Sequence, residues 1–319
     1  MLYSQTGTDD TATTAVERAR LMRYASYASV GAALIMIGAK IAAFLFTGSV
    51  ALLSSLLDSL LDAGASAINL LAIRHALTPA DREHRFGHGK AEPLAALGQA
   101  AFIAGSAAFL AFQAVGRLIA PVPVERGGLG IGVMLFSIAV TLALVLYQRR
   151  VIRRTGSYAI RADSLHYVGD LVVNASVILA LFLAAWLGWH FADPLFAIGI
   201  AGYILYTAWQ IARGALDMLM DRELPDEMRN RIRQLALAQP RVNAVHDLRT
   251  RAAGHAIFVQ LHLEMDADMP LREAHAIADA VEMSIMAAFP GAEVIVHQDP
   301  AGVEEPRRSF ARPPAGMTA

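Results

Sequence analysis

The chain has 319 residues, no cysteine, a formal net charge of −1 and a mean hydropathy of +0.43, with 55% hydrophobic and 17% charged residues. That balance is too apolar for a soluble domain of this length, and the absence of cysteine excludes disulfides and thiolate metal sites. There is no basic stripe of the kind nucleic acid requires, so nucleic acid is not an expected partner.

Residues 1–22 read as a polar N-terminal tail. They hold no basic region leading into a short apolar run, so no cleaved signal peptide is expected and the first span stays as an anchor. Six stretches are then long enough to cross a hydrocarbon core, which takes about 20 mainly apolar helical residues. They cover roughly 24–46, 50–73, 94–119, 129–147, 160–187 and 194–213, within a membrane domain expected over 23–215. Basic residues gather on one side of these spans. Arg18, Arg20 and Arg23 precede the first; Arg74, Arg82, Arg85 and Lys90 lie between the second and third; Arg149, Arg150, Arg153, Arg154 and Arg161 lie between the fourth and fifth. The other side has only Arg117 and Arg126 near its loops. The positive-inside rule puts both termini in the cytoplasm.

The second and fifth spans carry charges that lipid disfavours: Asp58 and Asp62 in one, His166 and Asp170 in the other. An Asp at the bilayer centre costs about 2.5–3.5 kcal/mol even on insertion scales, so these residues call for a partner. Each pair is spaced i, i+4 and projects from one face of its helix. The two spans are antiparallel in the deduced topology. At 1.5 Å per residue, Asp62 lies about 15–18 Å from the outer end of its span and Asp170 about 15 Å from the inner end of its own, so the pairs can meet near mid-membrane. Three carboxylates and one imidazole make an O3N set suited to a divalent ion such as Zn²⁺. Without the ion, about three negative charges in low dielectric favour protonation, so metal and protons compete for one site, which is the basis of antiport. Ser54, Ser66, Asn69 and Asn174 read as hydrogen-bonding elements of the packing. Lys40 reads as a snorkelling or packing residue, since an ammonium cannot coordinate a metal. Leu165 is ordinary packing by default, with the option of sealing the cytoplasmic side of the site.

Between the second and third spans, PADREHRFGHGKAEP places Asp81, His84 and His88 within eight residues. Their spacing suits one helical face, whereas Gly87 and Gly89 argue for a loop; either way three metal-competent groups are close. After Asp221 the pattern becomes charged and alternating. It reads as a helix over 224–240, strands over 242–254 and 255–266, a helix over 271–290 and a strand over 292–300, an αββαβ order of ferredoxin-like α+β type. This cytoplasmic metal-binding domain is expected over 216–303, with a disordered tail over 304–319. His246, His255, His262, His275 and His297, the last beside Gln298 and Asp299, recur near strand ends and point to a clustered metal site.

DSLLD, HYVGD, FGHGKAEPLAAL, HDLRTR, HLEM and VHQDP together resemble the cation diffusion facilitator family, in its bacterial zinc and iron efflux branch. The likeness runs from about Arg23 to Pro300. It implies six transmembrane helices, a cytoplasmic metallochaperone-like domain, a homodimer in the bacterial inner membrane, and exchange of cytoplasmic Zn²⁺, Cd²⁺ or Fe²⁺ for protons by alternating access. It places Asp58, Asp62, His166 and Asp170 on the family's transport site and Asp81, His84 and His88 on its loop zinc site. His246, His262, His275, His297, Gln298 and Asp299 fall on a binuclear cytoplasmic site with a bridging aspartate. Lys90 and Asp221 match a salt bridge near the junction of the two domains. His75, His190 and His255 are left as interfacial, periplasmic-loop and turn residues. The chain is thus expected to be a secondary active transporter and not an enzyme. A membrane-embedded zinc hydrolase would need a motif such as HExxH, which is absent, and a sensor that does not transport would show no metal-driven proton flux.

Overall fold

Apolar runs with few interior breakers make six long helices: α1 (Ala15–Thr47), α2 (Val50–Ala76), α3 (Ala91–Ile119), α4 (Gly128–Thr155), α5 (Tyr158–Leu187) and α6 (Ala192–Leu219). Pro93 and Pro194 fall in the first turns of α3 and α6, where the missing N–H costs nothing. The computed structural model describes residues 15–47, 50–119, 128–187, 192–254 and 256–303, without the side chains of some of them, Asp58 and Arg117 among these. Arg126, His190, His255, most of the N-terminal tail and the C-terminal tail lie outside the described residues.

Two compact units divide the chain, Met1–Glu223 with Arg251–Ile257, and Leu224–Thr250 with Phe258–Ala319. Among the described residues, four helices are long and apolar enough to cross a membrane: Val16–Phe46, Ala91–Gly116, Leu135–Thr155 and Pro194–Leu219. α2 carries Asp58 and Asp62, and α5 carries His166 and Asp170. Small residues make the contacts of α3 with α5 and α6, and larger ones join those of α1 with α4 and α5. Ala96 and Ala100 of α3 meet Ala162 of α5 and Ala215 of α6, while Ala32 and Met36 of α1 meet Leu144 and Val145 of α4 and Tyr167 of α5. This is how helices approach in lipid, where apolar burial gives no net drive and close backbone contact does. Leu165 packs against the apolar clusters that α3 and α6 share. Large apolar side chains such as Phe46, Phe109, Phe112 and Trp209 point outward.

The helices overrun the expected boundaries. α1 starts at Ala15, inside the stretch read as tail, because Glu17 in its first turn suits the helix dipole and Met22 is buried against Ile73, Val151 and Ile160. α4 continues through Arg149, Arg150, Arg153 and Arg154, so the basic connection is helical and not loop. It stops where Gly156 takes a positive φ of 68° and donates its N–H to the Ile152 carbonyl, and Ser157 Oγ at once accepts the Ile160 N–H to cap α5. α6 ends at Leu219, four residues past the predicted end of the membrane domain.

After α6 the chain forms α7 (Asp226–Leu237), β1 (Ala244–Ala253), β2 (Ala256–Met265), α8 (Leu271–Ala288) and β3 (Ala292–Pro300), in the αββαβ order, and all but the β1–β2 turn and the strand ends beside it falls in the second unit. The sheet order is β1-β2-β3. Alternation along β2 buries Leu261, Leu263 and Met265, and the helices bury Ile232, Ala236, Ala278, Val281 and Ile285. His262 falls on the opposite face of β2, away from those apolar positions.

Candidate metal centres

Helices α2 and α5 bring the first cluster together. His166 Nε2 lies 2.8 Å from Asp62 Oδ1 and 3.8 Å from Asp170 Oδ2, with His166 buried and both carboxylates half-buried. Two ligands held at about 2.0–2.2 Å by one tetrahedral ion stand about 3.3 Å apart, so this spacing suits a shared ion. Asp58 sits one turn before Asp62 on α2, but its side chain is outside the described residues. Lys40 Nζ donates to Ser59 Oγ at 2.6 Å, a packing role beside the acidic turn of α2.

The second cluster is a loop. Asp81 Oδ1 accepts the backbone N–H groups of Glu83 and His84, and the chain turns back at Gly87 with a φ of 77°. Hydrogen bonds from the backbone, chiefly from His84, hold the Asp81 carboxyl below its ordinary range despite the opposing desolvation. The turn, and not a helical face, sets His84 Nδ1 and His88 Nε2 each 3.4 Å from an Asp81 oxygen. His88 is buried, and its Nδ1–H donates to the Thr78 carbonyl at 3.3 Å, which leaves Nε2 free to ligate. His75, read from sequence as merely interfacial, lies edge-on to His88 with ring centroids 4.5 Å apart.

The third cluster is a row across three adjacent strands. His246 Nε2 from β1 and His262 Nδ1 from β2 each lie 2.9 Å from Asp299 Oδ2, and His297 Nε2 lies 3.1 Å from Asp299 Oδ1. Asp299 is buried beneath the imidazoles. Three nitrogens converging on one carboxylate are the donor chemistry of a zinc-class ion, so the residues fit a resident metal. Gln298 and His275 are not brought into this row. Alternation along β3 turns Gln298 to the other face, and His275 is exposed on α8, where it pairs with Asp279 at 3.6 Å.

Near the junction, Lys90 Nζ lies 2.9 Å from Asp221 Oδ1, and Arg251 reaches the same oxygen at 3.3 Å. Partial burial raises the Asp221 carboxyl, but Lys90 and then Arg251 outweigh it and hold the group below the usual carboxylate range.

Sequence reasoning missed a fully buried carboxylate, Asp163, one turn before His166 on α5. It also missed Glu92 on α3, whose buried carboxylate accepts from Ser157 and from the Tyr158 and Ala159 backbone at the start of α5. Both are single acids near span ends, and their partners are scattered along the chain.

A helical membrane domain whose acid-bearing helices converge on one imidazole, joined to an α+β domain with its own imidazole cluster, defines a membrane carrier of divalent cations. Residues 26–220 match the cation efflux transmembrane domain and residues 224–301 the cation efflux protein cytoplasmic domain. The cation-efflux pump FieF of Klebsiella pneumoniae is 49% identical over 284 residues, covering 89% of this chain and 94% of that one. An Escherichia coli cation-efflux pump FieF is 49% identical over 293 residues, covering 91% and 97%. A solved structure described as a putative zinc transporter CzrB in its zinc form is 38% identical, covering 27% of this chain and 98% of that chain with a TM-score of 0.25. The chain belongs to the cation efflux, or cation diffusion facilitator, family. It is a divalent-cation efflux transporter, a secondary active carrier and not an enzyme.

Proposed function

We propose that this protein exports Zn²⁺ from the cytoplasm in exchange for protons, with Cd²⁺ and Fe²⁺ as further cargo, by alternating exposure of a site made of Asp58, Asp62, His166 and Asp170. The observation that carries this is the approach of Asp62 and Asp170, from α2 and α5, to the one Nε2 of His166. In this reading α2 and α5 complete a six-span bundle over 23–215, and both termini and the domain over 216–303 are cytoplasmic. The four membrane-crossing helices and the basic residues of α4 support it. The transporter is a multi-pass protein of the bacterial inner membrane and a homodimer through its cytoplasmic domain.

Metal enters the inward-facing site as a divalent ion and takes the places that protons hold otherwise. Outward exposure to a proton-rich side reloads the carboxylates and His166 and releases the ion. Asp81, His84 and His88 hold a second ion in the loop, and His246, His262, His297 and Asp299 hold resident ions in the cytoplasmic domain, with His275 and Gln298 as outlying members. An ion held there would supply positive charge facing the Asp299 carboxylate, on which residues of β1, β2 and β3 converge. Lys90 and Asp221 lock the segment that leaves α6. Asp62→Ala is expected to abolish metal-driven proton flux in proteoliposomes while the dimer stays folded; retained flux refutes the site assignment.

A further inference from the structure

One turn from the His166 cluster, five helices meet on a single carboxylate. Asp163 of α5 is fully buried in the membrane domain. Ser29 of α1 and Gln148 of α4 donate to its Oδ2, the latter at 2.7 Å. Gln99 of α3 donates to Oδ1 at 3.1 Å and Ser66 of α2 reaches the same oxygen at 3.4 Å. Tyr167, also of α5, donates to the Ser29 carbonyl at 3.3 Å and meets Ser66 Oγ at 2.9 Å. Gln148 further donates to Ser29 Oγ at 2.9 Å. Every side chain on the carboxylate is a donor, an arrangement only an acceptor pair can complete. Both glutamines direct their amide nitrogens at Asp163 and leave their own carbonyl oxygens buried without a partner among the described residues. Leaving buried acceptors unpaired is unfavourable, so the network is organised around the acid and not around the amides. An acid held this way within a membrane domain calls for a functional reading before a structural one.

Its position supplies that reading. Ser66 follows Asp62 by four residues on α2, and Asp163 precedes His166 by three on α5, so each stands on the same face as the ligand it neighbours. Since the two helices run antiparallel, Asp62–His166 and Ser66–Asp163/Tyr167 are consecutive rungs between them. The second rung contains no metal ligand. It joins α2 to α5 without drawing on any residue of the cluster, and Gln99, Gln148 and Ser29 tie it to the other helices.

We propose that Asp163, with Ser66, is a positioning residue of transport: it sets the register between α2 and α5 that brings the carboxylates of one helix to the imidazole of the other. This rests on the transport-site reading above. A positioning error of an ångström in one ligand weakens binding without removing a ligand, so the effect falls on apparent affinity.

The test is zinc uptake by proteoliposomes at a fixed pH gradient, for Asp163→Asn, Ser66→Ala and Asp62→Ala, each normalised to folded dimer by size exclusion. Asp163→Asn is expected to raise the zinc KM at least fivefold with less than a twofold fall in Vmax, and Ser66→Ala to raise it by a smaller factor. A KM within twofold of the parent in both variants, with Asp62→Ala inactive, overturns the positioning role and leaves the transport site standing. Activity retained by Asp62→Ala overturns the site itself. A purely structural role predicts instead a loss of Vmax or of folded dimer at unchanged KM. If Asp163→Asn does not yield dimer, Ser66→Ala alone decides.

Discussion

Replacing Asp299 by Asn tests whether the row across the cytoplasmic sheet holds metal. The substitution keeps the shape but removes the negative charge on which His246, His262 and His297 converge at 2.9–3.1 Å, and sets an amide N–H₂ among ring nitrogens. Loss of even an outlying partner of a metal ligand costs roughly 10–100-fold in affinity, and a carboxylate that meets three imidazoles sits at the upper end, about 100-fold. By linkage, zinc at 1,000 times its Kd stabilises the folded domain by about 4.1 kcal/mol; at the same concentration a 100-fold weaker site gives about 1.4 kcal/mol. The difference, about 2.7 kcal/mol, is expected as a smaller zinc-induced stabilisation of the variant in detergent, alongside a right-shifted isotherm in calorimetric zinc titration. A variant that binds zinc within threefold of the parent affinity refutes the reasoning, since the carboxylate would then be a hydrogen-bond acceptor and not a ligand.

Two further outcomes follow from other sites. Asp221 has a depressed folded pKa, so its contribution is complete at neutral pH and is lost as pH falls through the folded value. Both members of the Lys90 pair are about two-fifths exposed, so it is worth at most about 1 kcal/mol. Asp221→Asn should therefore lower neutral-pH stability by that much or less and flatten the acid limb of the stability profile below about pH 4, where an unfolded Asp takes up its proton; an unchanged acid limb counts against the pair. His166→Asp turns an imidazole-containing site into an all-oxygen one and should shift competition toward Mn²⁺, while an unaltered metal-competition profile in uptake assays refutes the role of the ring.

Much of the architecture was legible because the membrane and the pleat impose periods that residues reveal directly. The αββαβ order follows from alternation such as AIFVQLHLEM, and the approach of His166 to Asp170 on α5 follows from i, i+4 spacing. The Asp81 turn was legible only in part: the spacing suited a helical face as well as a loop, and an aspartate that caps its own turn, followed by a glycine at positive φ, decides for the loop. The Asp163 hub was illegible. Its partners Ser29, Ser66, Gln99 and Gln148 come from four helices, and each alone looks like an incidental polar residue in an apolar span. His275 matches the cluster by residue type alone, and on α8 it stands 3.6 Å from Asp279.

Only Gly156 and Ser157 separate the end of α4 from the start of α5. Two residues extend at most about 7 Å, and here both are already committed to stopping one helix and starting the next. α5 is therefore on a short leash. Any tilt of α5 that the proposed alternating exposure of His166 and Asp170 requires is therefore handed directly to α4, whose last turn carries Arg153 and Arg154.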